Sequence, residues 1–252
     1  MKTADVIRLP VAVTDYAGAV QWILDRALKL DAPLAVEAAN THVAALARHD
    51  PEFGAAMKRF DLVVPDGMPL VWSINFQLPE EERLNDRVYG PTLMLETLKA
   101  AERTKGYRHF LLGGSPRTLE KLEKRFAREF PETALVGSYS PPFGEWDEEE
   151  FERIQEAIWS SGANLVWVCF GCPKQELWIA QNKDRLVPAI YFGIGAAFAF
   201  HAGEVSQAPA FLQKRGLEWA YRIAKEPRRL FRRYFVHNSL YIFYSLLDHS
   251  RA

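Results

Sequence analysis

Leu165-Val166-Trp167-Val168-Cys169-Phe170-Gly171-Cys172-Pro173-Lys174-Gln175-Glu176 decides the fold. Six consecutive apolar residues are too short for a helix core and fit a strand buried on both faces. A glycine then breaks the run, and polar residues open a helix over about Gln175–Asn182. A strand covered on both sides belongs to a parallel sheet, so the rest of the chain is expected to repeat the pattern. It does. Leu34–Ala39 is a second mostly apolar run, with Glu37 as its one charge, and Thr14–Leu30 before it has Val20, Ile23, Leu24 and Ala27 at helical spacing. Val43–Phe60 reads as a helix interrupted near Pro51, Leu62–Pro65 as a strand stub and Pro91–Lys105 as a helix. His109–Leu112 is a strand, followed by a helix through Arg128; Leu135–Tyr139 is a strand, Asp147–Ser160 a helix with an acidic first turn, and Ala189–Phe192 a last strand. The order predicts a Rossmann-like, doubly wound, mainly parallel α/β sheet.

Composition agrees. With 252 residues, 48% hydrophobic and 25% charged, the chain is a globular protein with a sizeable core. Two cysteines exclude a disulfide scaffold. A net charge of -1 gives no bias toward nucleic acid. Met1–Pro10 carries Lys2, Asp5 and Arg8 with no apolar core segment, so no signal peptide is expected. The uncharged run Leu186–Gly203 is broken by Pro188, Gly193 and Gly195, and Tyr234–Leu247 is shorter than the roughly 20 residues of a bilayer span.

The near-zero charge hides an asymmetry. Residues 210–252 hold nine Lys/Arg against three acids, together with nine aromatics, while the remainder is acidic. A break around Gly203–Pro209 divides a catalytic-type α/β body, 1–209, from a basic, aromatic, helical appendage, 210–252. Such an appendage suits an anionic partner; a helix pair with a solvated charged face is the plainer alternative.

In an open parallel sheet, ligands sit beyond the carboxyl ends of the strands. Asn40, Asp66-Gly67, Gly113-Gly114-Ser115, Gly171–Glu176 and Gly193–Gly195 all fall there. At Gly113-Gly114-Ser115-Pro116, glycines admit close approach of a ligand and Ser115 caps a helix with Pro116 in its first turn, which favours phosphate; an ordinary capped turn fits as well. Lys174 can pair with phosphate and Gln175 with sugar hydroxyls or a diphosphate, against the alternative of a solvated Lys174 and a capping Glu176. Asp66 can take a proton from a hydroxyl, or simply form an Asp-Gly turn. Cys169 and Cys172 have C-x-x-C spacing, but one of them lies in a buried strand, which argues against redox chemistry or zinc. The six histidines form no i, i+4 pair and there is no Asp-x-Asp, so no metal site is expected.

These blocks, taken in order, resemble a known family. Asn40 follows a strand; then come Val64-Pro65-Asp66-Gly67-Met68-Pro69-Leu70-Val71-Trp72, Arg87-Val88-Tyr89-Gly90, Phe110-Leu111-Leu112-Gly113-Gly114, Gly171-Cys172-Pro173-Lys174-Gln175-Glu176 and Gly193-Ile194-Gly195-Ala196. Gly216-Leu217-Glu218-Trp219-Ala220-Tyr221-Arg222 and Glu226-Pro227-Arg228-Arg229-Leu230 close the series. From about Leu34 to Tyr234 the chain is similar to the WecG/TagA/CpsF glycosyltransferases, glycosyltransferase family 26. The resemblance implies an inverting, metal- and cofactor-independent transfer of a hexose or N-acetylhexosamine, such as glucose or N-acetylmannosamine. The donor would be a UDP-sugar and the acceptor a polyprenyl-diphosphate-linked saccharide. The implied setting is the inner face of a bacterial plasma membrane, in synthesis of teichoic acid linkage units, enterobacterial common antigen or exopolysaccharide. It implies Asp66 as general base, Asn40 and Gln175 as active-site amides, and Arg222, Arg229 and Arg232 as functional arginines of the appendage. Gly67, Arg87, Gly90, Gly113, Gly114, Ser115, Gly171, Pro173, Lys174, Glu176 and Gly195 are the expected substrate contacts.

Two positions depart from the pattern: Ala38 stands where many members carry Thr, and Gln207-Ala208-Pro209 replaces Arg-Ala-Pro. Pro227 is expected to start a new helix, with Arg229 and Arg232 sharing a face. Docking of the appendage on lipid would then both complete the active site and switch it on. A homo-oligomer is left open. Two further classes compete: a nucleotide-cofactor oxidoreductase, disfavoured by the missing G-x-G-x-x-G fingerprint, and a non-catalytic peripheral membrane protein, which explains the appendage alone.

Overall fold

The computed structural model describes residues 1–209, 211, 212, 220, 221, 223 and 227–249. Eight strands are seen among them: β1 (Thr3–Val6), β2 (Leu9–Ala12), β3 (Leu34–Ala39), β4 (Leu62–Pro65), β5 (Arg108–Gly113), β6 (Ala134–Tyr139), β7 (Leu165–Cys169) and β8 (Ile190–Gly193). The helices are α1 (Tyr16–Ala27), α2 (Thr41–His49), α3 (Pro51–Met57), α4 (Met68–Phe76), α5 (Gly90–Ala101), α6 (Pro116–Glu129), α7 (Glu148–Ser161), α8 (Lys174–Asn182), α9 (Ala196–His201) and α10 (Pro227–His249). Strands β3 to β8 form one parallel sheet in the order β4-β3-β8-β7-β5-β6. This is the doubly wound sheet that the buried strands predict.

Alternation along the strands assigns the two faces. Val36, Val64, Leu111, Trp167 and Phe192 meet α1, α5, α6 and α9 in one cluster. Ala35, Phe110, Leu112, Val166, Val168 and Tyr191 meet α7 and α8 on the other face. Toward β4, that second face continues into a cluster of α2, α3, α4 and the β1–β2 hairpin, closed by Tyr241 of α10. The helix starts follow local chemistry. Asp15, Asp50, Ser115 and Asp147 cap α1, α3, α6 and α7 through their side chains, and Pro51 and Pro116 open α3 and α6.

Three elements lie outside the sequence-based expectation. The β1–β2 hairpin turns through Ile7 and Arg8 at φ 49° and 69°, where hairpins ordinarily use Asn or Gly; the Arg8 N–H bonds Asp5 Oδ1 at 2.7 Å to hold it. Helix α4 is apolar on nearly all sides, so it has no periodic stripe to read. Helix α9 is only six residues long. Pro227 does start a helix, α10, which packs along α2. No described helix is long and apolar enough to cross a membrane.

Candidate functional site

Adjacent strands β3 and β4 end in register, Ala39 opposite Pro65, and so deliver Asn40 and Asp66 side by side. The Asp66 N–H donates to Ala39 O at 2.8 Å, extending the ladder by one step. Asn40 is the N-cap of α2; its Oδ1 accepts from the His42 and Val43 N–H groups at 3.0 and 3.3 Å. Its amide nitrogen is therefore the end left for other work.

The segment Arg87–Gly90 wraps round Asp66. The Val88 N–H donates to Pro65 O at 2.8 Å, Arg87 Nη1 donates to Asp66 O at 3.3 Å, and the Gly90 N–H donates to Asp66 Oδ1 at 2.6 Å. The guanidinium of Arg87 also lies 4.2 Å over the Tyr89 ring. Gly90 is tight: a Cβ there would sit 3.2 Å from Ala38 Cβ and 3.3 Å from Ile194 Cγ2. Tyr16 accepts from the Tyr89 N–H at 3.0 Å. Burial above all raises its pKa, and the Asp66 charge adds to that while Arg87 opposes it. Thus a carboxylate, a guanidinium and a phenol share the mouth of β4.

Behind Asp66 the wall is carboxylic. Glu37, in the middle of β3, is 2% exposed, and Glu176 of α8 is fully buried. Gln175 links the wall to the loop after β7: Nε2 donates to Glu176 Oε1 at 2.9 Å and Oε1 accepts from the Gly171 N–H at 3.2 Å. Gly193 and Gly195 give these side chains room. A Cβ at 193 would collide with Glu37 Oε2, and one at 195 would collide with Gln175 Oε1. Burial pushes the Glu37 carboxyl well above the usual carboxylate range, and the nearby charges of Glu176 and Asp66 push the same way.

The remaining expected residues lie farther along the sheet. Gly113 ends β5, four strand spacings from β4, or roughly 19 Å. It has φ 95°, and a Cβ would strike the Cys169 carbonyl, so only glycine fits. The Gly114 N–H donates to Cys169 O at 3.0 Å, and Ser115 Oγ accepts from the Thr118 N–H at 3.1 Å as the cap of α6. A carboxylate already faces this turn: Glu204 accepts from Thr118 Oγ1 at 3.1 and 3.2 Å and from Lys121 Nζ at 3.0 Å. Pro173 precedes α8. Lys174 turns outward, its ammonium bonded to Gly144 O and 3.6 Å over the Trp146 ring. It lines a cavity of about 610 Å³ with Trp146, Phe151 and Trp178, on the side of α8 away from Gln175. Cys169 and Cys172 are both free thiols.

The structure thus brings together Asn40, Asp66, Gly67, Arg87 and Gly90, with Gln175, Glu176 and Gly195 behind them. Gly113, Gly114 and Ser115 stand apart along the same edge. Arg222 lies outside the described residues. Arg229 and Arg232 lie on the first turns of α10, and their side chains are likewise outside the description. No group of three His, Cys, Asp or Glu among the described residues is arranged to hold a metal ion.

Glu37 and Tyr16 are the residues that sequence reasoning missed. Glu37 had a signal, as the one charge in a buried strand; Tyr16 had none.

Helix α10 reaches the same corner. Thr41, next to Asn40, donates to Asn238 Oδ1 at 2.8 Å, and the His42 and His237 rings meet edge-on with centroids 4.1 Å apart. The model of the WecG/TagA/CpsF glycosyl transferase family matches residues 4–252, which takes in the sheet, the carboxylate corner and the appendage alike. A carboxylate positioned at the open edge of a doubly wound sheet accords with that match, and the chain belongs to the WecG/TagA/CpsF family of glycosyltransferases.

Proposed function

We propose that this chain is an inverting, metal-independent glycosyltransferase of cell-surface polysaccharide synthesis. It would move a hexose or N-acetylhexosamine from a UDP-sugar to a polyprenyl-diphosphate-linked saccharide, working from the inner face of the membrane. The observation that carries the reading is the position of Asp66. It lies at the mouth of the sheet beside Asn40, with Oδ1 fixed by the Gly90 N–H and the loop pinned by Arg87.

In this reading the Asp66 carboxylate takes the proton of the acceptor hydroxyl as that oxygen bonds to the anomeric carbon. The bond from the anomeric carbon to the diphosphate oxygen breaks on the opposite face, and its electron pair leaves with UDP. The departing charge needs cationic donors. Arg222, Arg229 and Arg232 are assigned that task, with Gln175 and Glu176 bracing the loop after β7. Helix α10 is docked beside Thr41 through Asn238, so the helix that carries Arg229 and Arg232 is joined to the element that begins at Asn40.

Membrane association is proposed from α10 and α4. Phe235, Val236, Ile242, Phe243 and Leu246 on α10, and Trp72 and Phe76 on α4, are large apolar side chains exposed to solvent. Arg228, Arg229, Arg232 and Arg233 precede them in sequence. A basic, apolar surface of this type suits an anionic bilayer.

The test incubates the protein with a panel of UDP-sugars and a short-chain lipid-diphosphate sugar in the presence of a chelator, and weighs the product. A mass gain of one hexose or N-acetylhexosamine, lost by at least about 100-fold in Asp66→Asn with donor affinity kept, is expected. A strict magnesium or manganese requirement overturns metal independence. Calorimetric binding of NAD in place of UDP overturns the reading as a whole.

A further inference from the structure

The buried carboxylic wall carries a proton assignment. Glu37 is 2% exposed, Glu176 is fully buried, and Glu37 Oε2 has no hydrogen-bond partner among the described residues. The Gly193 backbone on β8 lies against Glu37 Oε2, with the Gln175 amide of α8 nearby. Among the described residues, the charges that act on it are Glu176 and Asp66, both negative. Isolated buried carboxylates cost many kcal/mol unless paired with a cation, and adjacent ones do not all ionise. Glu176 Oε1 accepts an N–H from Gln175, a bond that either protonation state of Glu176 can make, while no hydrogen bond supports the buried Oε2 of Glu37.

We propose that Glu37 is a positioning residue of the site, held as the neutral acid behind Asp66 and Gln175. The assignment deepens the glycosyl-transfer reading and rests on Asp66 as its base. A neutral Glu37 adds no negative charge near Asp66, the proposed base. When rising pH strips Glu37, a second charge enters the wall, opposes that of Asp66 and disturbs the Gln175–Glu176 brace.

The test is infrared titration of the full-length protein, read at the C=O band of protonated carboxyl groups. The expected wild-type band persists at neutral pH, above the usual carboxylate range. It is absent from Glu37→Gln and retained in Glu176→Gln; any other pattern overturns the assignment. Should Glu37→Gln fail to fold, Glu37→Asp keeps a carboxyl there and is expected to move the band; a band unmoved in Glu37→Asp overturns the assignment. In the pH profile of kcat/KM, the wild type shows an alkaline loss that Glu37→Gln lacks. If both lose activity at the same pH, the positioning role fails. The band needs no substrate, so a failed proton assignment leaves glycosyl transfer standing, and an absence of turnover with every UDP-sugar leaves the band standing.

Discussion

The Tyr241 hydroxyl donates to the Pro69 carbonyl at 3.1 Å, joining the last helix to the turn that follows Asp66. Ser73 Oγ lies 2.7 Å from the same hydroxyl, so Tyr241 is hydrogen-bonded to α4 at two positions. Burial pushes the phenol up to about 12, so the donor persists across the working pH range. Helix α10 is therefore bonded to α4 here and to α2 at Thr41, the two helices that begin beside Asp66 and Asn40.

Removing that join separates two contributions. Tyr241 is 5% exposed and closes the cluster of α2, α3, α4 and the hairpin. Tyr241→Phe keeps the ring and loses the hydroxyl, at a cost of about 1 kcal/mol in urea unfolding. Tyr241→Ala also opens a cavity and costs about 3–5 kcal/mol, the range of large aromatic truncations. If Tyr241→Phe already costs as much as Tyr241→Ala, packing contributes little and α10 is held by the hydroxyl alone.

Asn40 holds a structural and a proposed chemical role in one side chain, and two substitutions pull them apart. Its Oδ1 caps α2. Asn40→Asp retains a capping oxygen and should leave stability within a few tenths of a kcal/mol, whereas Asn40→Ala loses about 1 kcal/mol. Both remove the amide N–H donors beside Asp66. Turnover should therefore fall in both variants, with thermal midpoints falling only in Asn40→Ala. Full turnover in Asn40→Asp would make Asn40 a cap and nothing more.

The sequence discloses the frame of this corner more readily than its interior. Leu165–Cys169 and Leu34–Ala39 are legible because strands covered on both faces need apolar residues throughout. Asn40 and Asp66 follow, since strand ends place them. The Ile7–Arg8 turn is hidden because neither residue advertises positive φ. Helix α4 is hidden because its apolar residues serve two purposes: Leu70 and Ile74 fill the core, while Trp72 and Phe76 stay exposed. That the Glu176 charge reaches Glu37 is a tertiary fact. It needs β3 beside β8 and α8 behind both, and no local pattern encodes that order.

His109 makes the fold acid-sensitive. It is fully buried and stacks parallel to Trp167, whose Nε1 donates to His109 Nδ1 at 3.1 Å. Burial pushes its pKa down to about 3 from an ordinary 6.5. Between those values the unfolded chain binds the extra proton and the folded chain does not, so stability falls as pH drops below about 6.5. From there to about pH 4.5 the loss is on the order of 2–3 kcal/mol. His109→Gln keeps an acceptor for Trp167 and cannot titrate. Urea midpoints measured against pH should converge for the two proteins in acid, relative to their separation at neutral pH. Parallel curves would remove His109 from the account.

The exposed face of α10 can be altered without touching the face that docks. Ile242, Phe243 and Leu246 are 59%, 54% and 67% exposed, whereas Tyr241 on the same helix is buried. Changing the three to serine should leave the unfolding midpoint within about 0.5 kcal/mol, as surface substitutions do. If that face enters lipid, each side chain contributes at least about 1 kcal/mol of apolar burial, so the triple variant binds vesicles at least ~100-fold more weakly. Co-sedimentation with vesicles containing phosphatidylglycerol measures this directly. A matched drop for Arg228→Ala/Arg233→Ala, steepest at low salt, would show that charge steers the same surface. Unchanged sedimentation of the triple serine variant would mean that these side chains do not enter lipid, and the docking surface would have to be sought elsewhere on the chain.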